Sequence, residues 1–374
     1  MSPAASRLSA AILAALSLAV LCRAEESWKI QYFYDKRDSD LDFRDIRCPS
    51  STHCVAAGVV QDDGHERGAV VLTTDGGEHW SLMNVKEHPV SLFFLDESTG
   101  WMVTDHGIWA TPDGGKSWNK LDSLKGIVDV HFLDASHGFA VGFPKAVYET
   151  TDGGHKWVKV KAVAGAPGED EHTFYDSIAF QGPHGLIAGS MDESEPIPVR
   201  RNPATGSLEL APSDDTLILE TLDGGKAWTT KGMRFDGKLA KLSFAGKGMV
   251  AAVIGYEGRN KRYPSVVFGA VLGAKAGQTI FAQPDRAVVD FAMLPSGRAF
   301  IAAVEPPGNS TEVPIPGKLK MLESDDLKGW REMAVDFRAV ARGAVLAAAD
   351  VSHVWVATDT GMILSLVKSD SSAR

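Results

Sequence analysis

The chain has 374 residues, a formal net charge of −10 and three cysteines. An acidic balance excludes nucleic acid as a partner, because that role needs a basic stripe. Three cysteines, two of them close together, are too few to build a zinc site without other ligands nearby.

The N-terminus begins with Arg7 in a short polar region, followed by the apolar run "AAILAALSLAVLC", Ala10 to Cys22. Thirteen residues are too short to span a bilayer and fit the core of a signal peptide. Small residues at Cys22 and Ala24 place cleavage after Ala24. A lipoprotein site at Cys22 is disfavoured, since Leu21 before it is not small. Residues 1–24 therefore read as a signal peptide and 25–374 as one exported domain, periplasmic or extracellular. Loss of Arg7 and Arg23 moves the formal charge to about −12. No later apolar stretch is long enough to span a membrane. Cys48 and Cys54 follow in "CPSSTHC". In an exported chain this spacing suits a disulfide between two strands across a tight turn; the alternative is a pair of buried thiols.

One word then recurs along the chain. "TTDGGEHW" ends at Trp80, "TPDGGKSW" at Trp118, "TTDGGHKW" at Trp157 and "TLDGGKAW" at Trp228. A worn copy, "ESDDLKGW", ends at Trp330, with Leu327 read in place of the second glycine. The first two steps, 38 and 39 residues, give a unit of about 40, the length of a four-stranded propeller blade. The next step holds one unit with an insertion at 190–216, and the last holds two units, one without its word. A second motif runs in phase: "FLDESTGWMV" (94–103) and "FLDASHGFAV" (132–141), with looser copies starting at 48, 180, 244, 294 and 348. Each is a strand, a polar turn and a strand. The unit thus reads strand a, turn, strand b, loop, strand c, Asp-Gly-Gly turn, strand d. Seven copies predict an all-β, seven-bladed propeller. The last copy stops after "GMILSLVKS", one strand short, while "ESWKIQYF" (26–33) carries Trp28 as a d strand does. The N-terminal strand is expected to complete the last blade and close the ring, which removes exposed sheet edges.

Every position of the recurrent word has a hairpin duty. Asp-Gly favours turns that need positive φ, the carboxylate and the preceding Thr accept turn N–H groups, and the Trp buries a large ring between sheets. These words resemble the Asp-box (BNR) repeats of sialidase-like propellers. With the "F-x-D-x-x-x-G" strand pair, they are most similar to the photosystem II assembly/stability factor family and its relatives in non-photosynthetic bacteria. The resemblance implies a propeller that helps assemble a membrane complex by binding protein, with its boxes away from its binding face. It assigns structural roles to Asp75, Gly77 and Trp80, to Asp113, Gly115 and Trp118, to Asp152, Gly154 and Trp157, and to Asp223, Gly225 and Trp228.

Function is then expected on the opposite face, where the d–a and b–c loops gather. Four b–c segments read as long: 61–68, the 190–216 insertion with Arg200 and Arg201, 255–265 and 305–318. "YEGRNKRY" sets Arg259, Lys261 and Arg262 between Tyr256 and Tyr263, residue types favoured as interface anchors. Strand a lines the channel of such a fold, with Asp45, Ser91, Asp129, Ser177 beside Asp176, Lys241 and Asp290 at one register. This ring reads as a wet channel in preference to a cation site. His53, His137, His184 and His353 recur in the a–b turns and read as turn residues tolerant of positive φ. The sialidase Arg-Ile-Pro signature is absent, since Asp45 follows Arg44, and adjacent Tyr256 and Glu257 point to different sides. No nucleophile elbow, zinc helix or phosphate loop occurs, so no cofactor or metal is expected. The reading is a non-catalytic, monomeric, protein-binding propeller; the alternative is a glycan-binding protein or glycosidase of the sialidase-like class.

Overall fold

A computed structural model of the chain describes residues 26–163, 165–166, 168, 170–192, 199–201, 208–210, 214–232, 238–246, 248–255, 265–271, 277–283, 286–305 and 316–368. The described residues are all-β apart from two short 3₁₀ turns, Lys161–Val163 and Asp170–His172. No helix among them is long and apolar enough to cross a membrane.

The strands form antiparallel four-stranded meanders in chain order. The first sheet runs Ser39–Arg47, Cys54–Asp62, His65–Thr73 and Ser81–Val85. Its second strand is buried from Cys54 to Val60, whereas its fourth alternates between exposed and partly buried residues. The b strands are apolar on both faces because each lies between two other strands and two other sheets. The later sheets begin with the inner strands Pro89–Phe94, Ile127–Phe132, Thr173–Gln181 and Lys238–Phe244. The last sheet is composite. Ala287–Met293, Ala299–Val304, Gly317–Ser324 and Arg331–Val335 continue through the N-terminal strand Glu26–Phe33 into Met362–Lys368, Val354–Thr358 and Ala344–Ala348. The N-terminal strand pairs antiparallel with Met362–Lys368 from Glu26 to Phe33, and parallel with Ala334 and Val335.

The core lies between successive sheets. Val55, Ala57 and Val70 of the first sheet meet Leu92, Met102 and Trp109 of the second. Trp101 of the second sheet stacks on Phe132 of the third, centroids 3.6 Å apart. Leu41, Phe43 and Ile46 of the first sheet pack on Trp355, Ala357 and Ile363 near the C-terminus. Trp28 is fully buried with Phe300, Met321, Leu346 and Leu364, and its Nε1 donates to Met333 Sδ at 3.3 Å. Removing such a ring costs about 3–5 kcal/mol.

Three sequence expectations change here. Segment 61–68 is no long loop: Asp62 pairs with His65 across the two-residue turn Asp63–Gly64, with φ of 46° and 79°. That is the primed hairpin turn that Asp-Gly favours, and it extends both strands. The 190–216 insertion contains its own two-stranded hairpin, Val199–Arg201 with Leu208–Leu210, and the strands on either side extend to Asp192 and from Asp214. In the worn turn the carboxylate is Asp326, whose Oδ1 accepts from the N–H groups of Lys328 and Gly329 at 2.8 Å. The turn is one residue shorter, and Leu327 itself takes the left-handed conformation at φ 62°.

Candidate functional site

The four Asp-Gly-Gly turns share one hydrogen-bond scheme. In the second sheet Thr111 Oγ1 donates to Asp113 Oδ1 at 2.9 Å and accepts from Gly115 N at 2.7 Å. Asp113 Oδ1 also accepts from Ser117 N at 2.8 Å. Thr73, Thr150 and Thr221 repeat this with Asp75 and Gly77, Asp152 and Gly154, and Asp223 and Gly225. Gly115 sits at φ 87°, a conformation that a side chain resists. Each turn is tied to its own a–b turn: the N–H groups of Gly76, Gly114, Gly153 and Gly224 donate to carbonyls of Thr52, Ser98, Ser136 and Pro183 at 2.8–2.9 Å. The N–H of His79, first among the causes, then its ring and Thr73, hold the Asp75 carboxyl far below the usual range. Trp118 meets Phe94 at 6.3 Å and Trp157 meets Phe132 at 5.9 Å, both edge to face.

The turn histidines act through their side chains. None of His53, His137, His184 and His353 has positive φ, so the expected backbone role does not hold. His53 Nε2 lies 2.8 Å from Gly114 O in the neighbouring sheet, His137 Nε2 2.8 Å from Glu149, and His184 Nε2 2.9 Å from Glu220. His353 Nδ1 lies 2.8 Å from Asp350. Arg298 takes the same place before its b strand. It is buried, contacts Glu26 and Glu323, and donates to Val351 O at 2.8 Å. The N-terminal strand is thereby anchored to two parts of the last sheet.

The inner strands line a cavity of about 590 Å³. Their pairing slips by one residue at 43/45, 89/91, 127/129, 175/177, 239/241 and 288/290. These bulges let consecutive residues such as Arg44 and Asp45, or Asp176 and Ser177, line the same cavity, which plain alternation forbids. The expected register is present: Asp45, Ser91, Asp129, Asp176, Ser177, Lys241 and Asp290 all border it. Its carboxylates join neighbouring strands. Asp45 Oδ2 accepts from Leu92 N at 2.8 Å, Asp129 Oδ2 from Ile178 N at 3.0 Å and Asp290 Oδ2 from Leu346 N at 2.6 Å. Each also accepts the N–H of the residue after it. Arg47 pairs with Asp45 at 3.0 Å, and Lys241 Nζ donates to Asp290 Oδ2 at 2.7 Å.

Arg47, Phe93 and His131 lie two residues beyond the register positions and also face the cavity. Period-two spacing alone would have found them. Burial pulls the Arg47 guanidinium down, yet Asp45, Asp129 and Asp290 hold it above its ordinary value. Burial, then Arg47, pushes the His131 imidazole down to about 4. Burial pushes Asp129 up to about 6, against Arg47 and the Ile178 N–H.

Residues 120–192 match the family model of photosynthesis system II assembly factor YCF48. A structure of YCF48 bound to a D1 peptide superposes at a TM-score of 0.58 with 16% identity, covering 92% of this chain and 100% of that one. YCF48 from Cyanidioschyzon merolae gives 0.55 and 17%, covering 90% and 98%. The fold is that of a β-propeller, and residues 120–192 carry the sequence likeness to the photosystem II assembly factor family. The WD40 β-propeller domain of Doa1 superposes at 0.59 with 10% identity, covering 92% of this chain and 98% of that one. The search among curated proteins returns no match.

Within this propeller, Cys48 and Cys54 are disulfide-bonded at the a–b turn of the first sheet. Arg200 and Arg201 sit on the inserted hairpin, opposite Glu209 and Leu208. Tyr256, Arg259, Lys261, Arg262 and Tyr263 lie outside the described residues. Sequence reading missed the segment after Trp157. There buried Lys145 donates its amine to Ala166 O and Gly168 O, each at 2.7 Å. The signal was a lone lysine, with no repeat to mark it.

Proposed function

We propose that the chain is an exported, monomeric, seven-bladed propeller that binds a protein partner and catalyses no reaction. Residues 1–24 are its signal peptide, 25–374 its single domain, and the strand Glu26–Phe33 closes the ring. The Asp-Gly-Gly turns are Asp-boxes with a structural role. The partner docks on the opposite face, through Tyr256, Arg259, Lys261, Arg262 and Tyr263 together with Arg200 and Arg201, and its role is assembly of a membrane or envelope complex. What carries this reading is the end-to-end likeness to a propeller of the matched family solved with a peptide bound. The hydrogen bonding of each Asp-Gly-Gly turn to its own sheet supports the choice of face.

The test is affinity capture from the native envelope with the 255–265 loop intact or changed to Ser and Gly. The intact protein retains a partner, and the variant loses it while keeping its melting temperature. Unchanged capture would remove that loop from the interface, and turnover of aryl glycosides or sialosides would overturn the non-catalytic reading.

A further inference from the structure

The cavity is uneven around its circumference. On one side its charges are answered within the protein: Arg47 meets Asp45, and Lys241 meets Asp290. On the other side, formed by the inner strands of the second, third and fourth sheets, the balance differs. Asp129 receives N–H groups from Val130 and Ile178 and approaches the Ser177 hydroxyl at 3.5 Å, and no cation among the described residues lies within ion-pair distance of it. Ser91, at the same register one sheet earlier, is 9% exposed, and its Oγ meets no hydrogen-bond partner among the described residues. Asp176 borders the same side. Two residues further along the strands, the Phe93 ring lies 4.6 Å from His131, and Phe180 lies 5.4 Å from the same imidazole.

We propose that this side of the channel binds an ammonium group, held by Asp129 with the Ser91 and Ser177 hydroxyls, its apolar stem lying along Phe93, His131 and Phe180. The chemistry points to a cation. An ammonium has three donors and no acceptor, and so suits a carboxylate flanked by hydroxyls. Aromatic faces attract a cation and shelter a hydrocarbon stem. An anion would meet the Asp129 carboxylate, which has no cation within ion-pair distance among the described residues. The volume lies in the usual range for a small-ligand site. Burial raises the Asp129 carboxyl, and the more distant Arg47 offsets this only in part. The inference is separate from the partner-binding face, and either can fail without the other.

Two sources carry this chemistry, a free amine and a lysine side chain of a partner. Calorimetry and ligand-observed NMR on the full mature chain would use n-butylammonium, phenethylammonium and Nα-acetyl-lysine methylamide, with calcium chloride and sodium acetate as controls. The expected result is saturable amine binding, weakened about tenfold in Asp129→Ala by loss of a charge-assisted bond. Ser91→Ala weakens it several-fold with no loss of melting temperature, since the Ser91 hydroxyl bonds no group among the described residues. That variant keeps the test valid if Asp129→Ala unfolds. Preference for the phenethyl probe assigns a free amine, and preference for the lysine derivative assigns a partner side chain. No saturable amine binding at about 10 mM, a weak limit for a ligand of this size, would overturn the proposal. So would equal binding in both variants, or binding of calcium or acetate in place of the amines.

Discussion

The Asp-Gly-Gly turns and the channel register use the same residue, aspartate, in opposite surroundings. Asp75, Asp113, Asp152 and Asp223 stand at the surface, and turn N–H groups or hydroxyls draw their carboxyls below the usual range. Asp129 makes two comparable N–H bonds, yet burial lifts it to about 6. The difference lies in solvent. Water screens a turn carboxylate and leaves its hydrogen bonds to set the acidity, whereas a carboxylate facing a confined channel loses solvation that two bonds do not restore. A repeated aspartate is therefore architecture where its bonds are local and solvated. It becomes a candidate for ligand binding where its charge is left over.

The comparison is sharpened by perturbing each region. The largest effect is expected from deleting 27–34, which removes Trp28 and the strand paired with Met362–Lys368. Loss of that ring alone costs about 3–5 kcal/mol, so cooperative melting by circular dichroism should disappear or fall to much lower temperature. An unchanged melting temperature would remove ring closure from the account. Next comes Arg298→Ala, which leaves Glu26 and Glu323 buried without that cation. Breaking such a group costs about 3 kcal/mol or more, measurable by urea denaturation. Thr111→Ala removes one turn's hydroxyl and its bonds to Asp113 and Gly115. A loss of about 1–2 kcal/mol is expected, with partner capture intact.

The smallest effect is a pH profile that separates other hydrogen-bonded surface aspartates from the channel aspartate. Asp134 and Asp336 are each drawn down to about 2, Asp134 by the Ser136 hydroxyl and backbone and Asp336 by Arg338. Their stabilisation is present above the unfolded value near 4 and is lost as pH falls toward 2. Asp129, lifted to about 6, acts in the other direction: its contribution is full below about 4 and is lost as pH rises through 6. The melting temperature should therefore peak near pH 4 and decline up to about pH 6. Asp129→Asn should flatten the decline above the peak and leave the acid limb unchanged. A profile rising steadily to pH 8 would contradict the assignment.

Much of the fold was legible because the sequence repeats it. Trp80, Trp118 and Trp157 set the unit length, and the paired motif phased the strands. Trp28 marked the N-terminal strand, and that strand does pair with Met362–Lys368. Reading failed where geometry departs from spacing. Segment 61–68 looked like a loop because it is polar, but Asp63–Gly64 turns it within two residues. The shortened turn at Asp326 misled an alignment anchored on Trp330. The channel register was found, yet its neighbour Arg44 required knowledge of the bulges, since alternation sends adjacent residues to opposite faces. His137 and Arg298 share a role that sequence hides, because their acid partners lie on other strands.

One face is proposed to be architecture and the other to bind a partner. The most direct measurement compares Asp113→Ala with a loop variant replacing Tyr256, Arg259, Lys261, Arg262 and Tyr263 by Ser and Gly. Both are melted and both are used to capture partners from the native envelope. The first variant is expected to melt lower and retain its partner, while the second melts like the parent and loses it. The reverse pattern, with capture lost through Asp113 at unchanged stability, would contradict this division of faces.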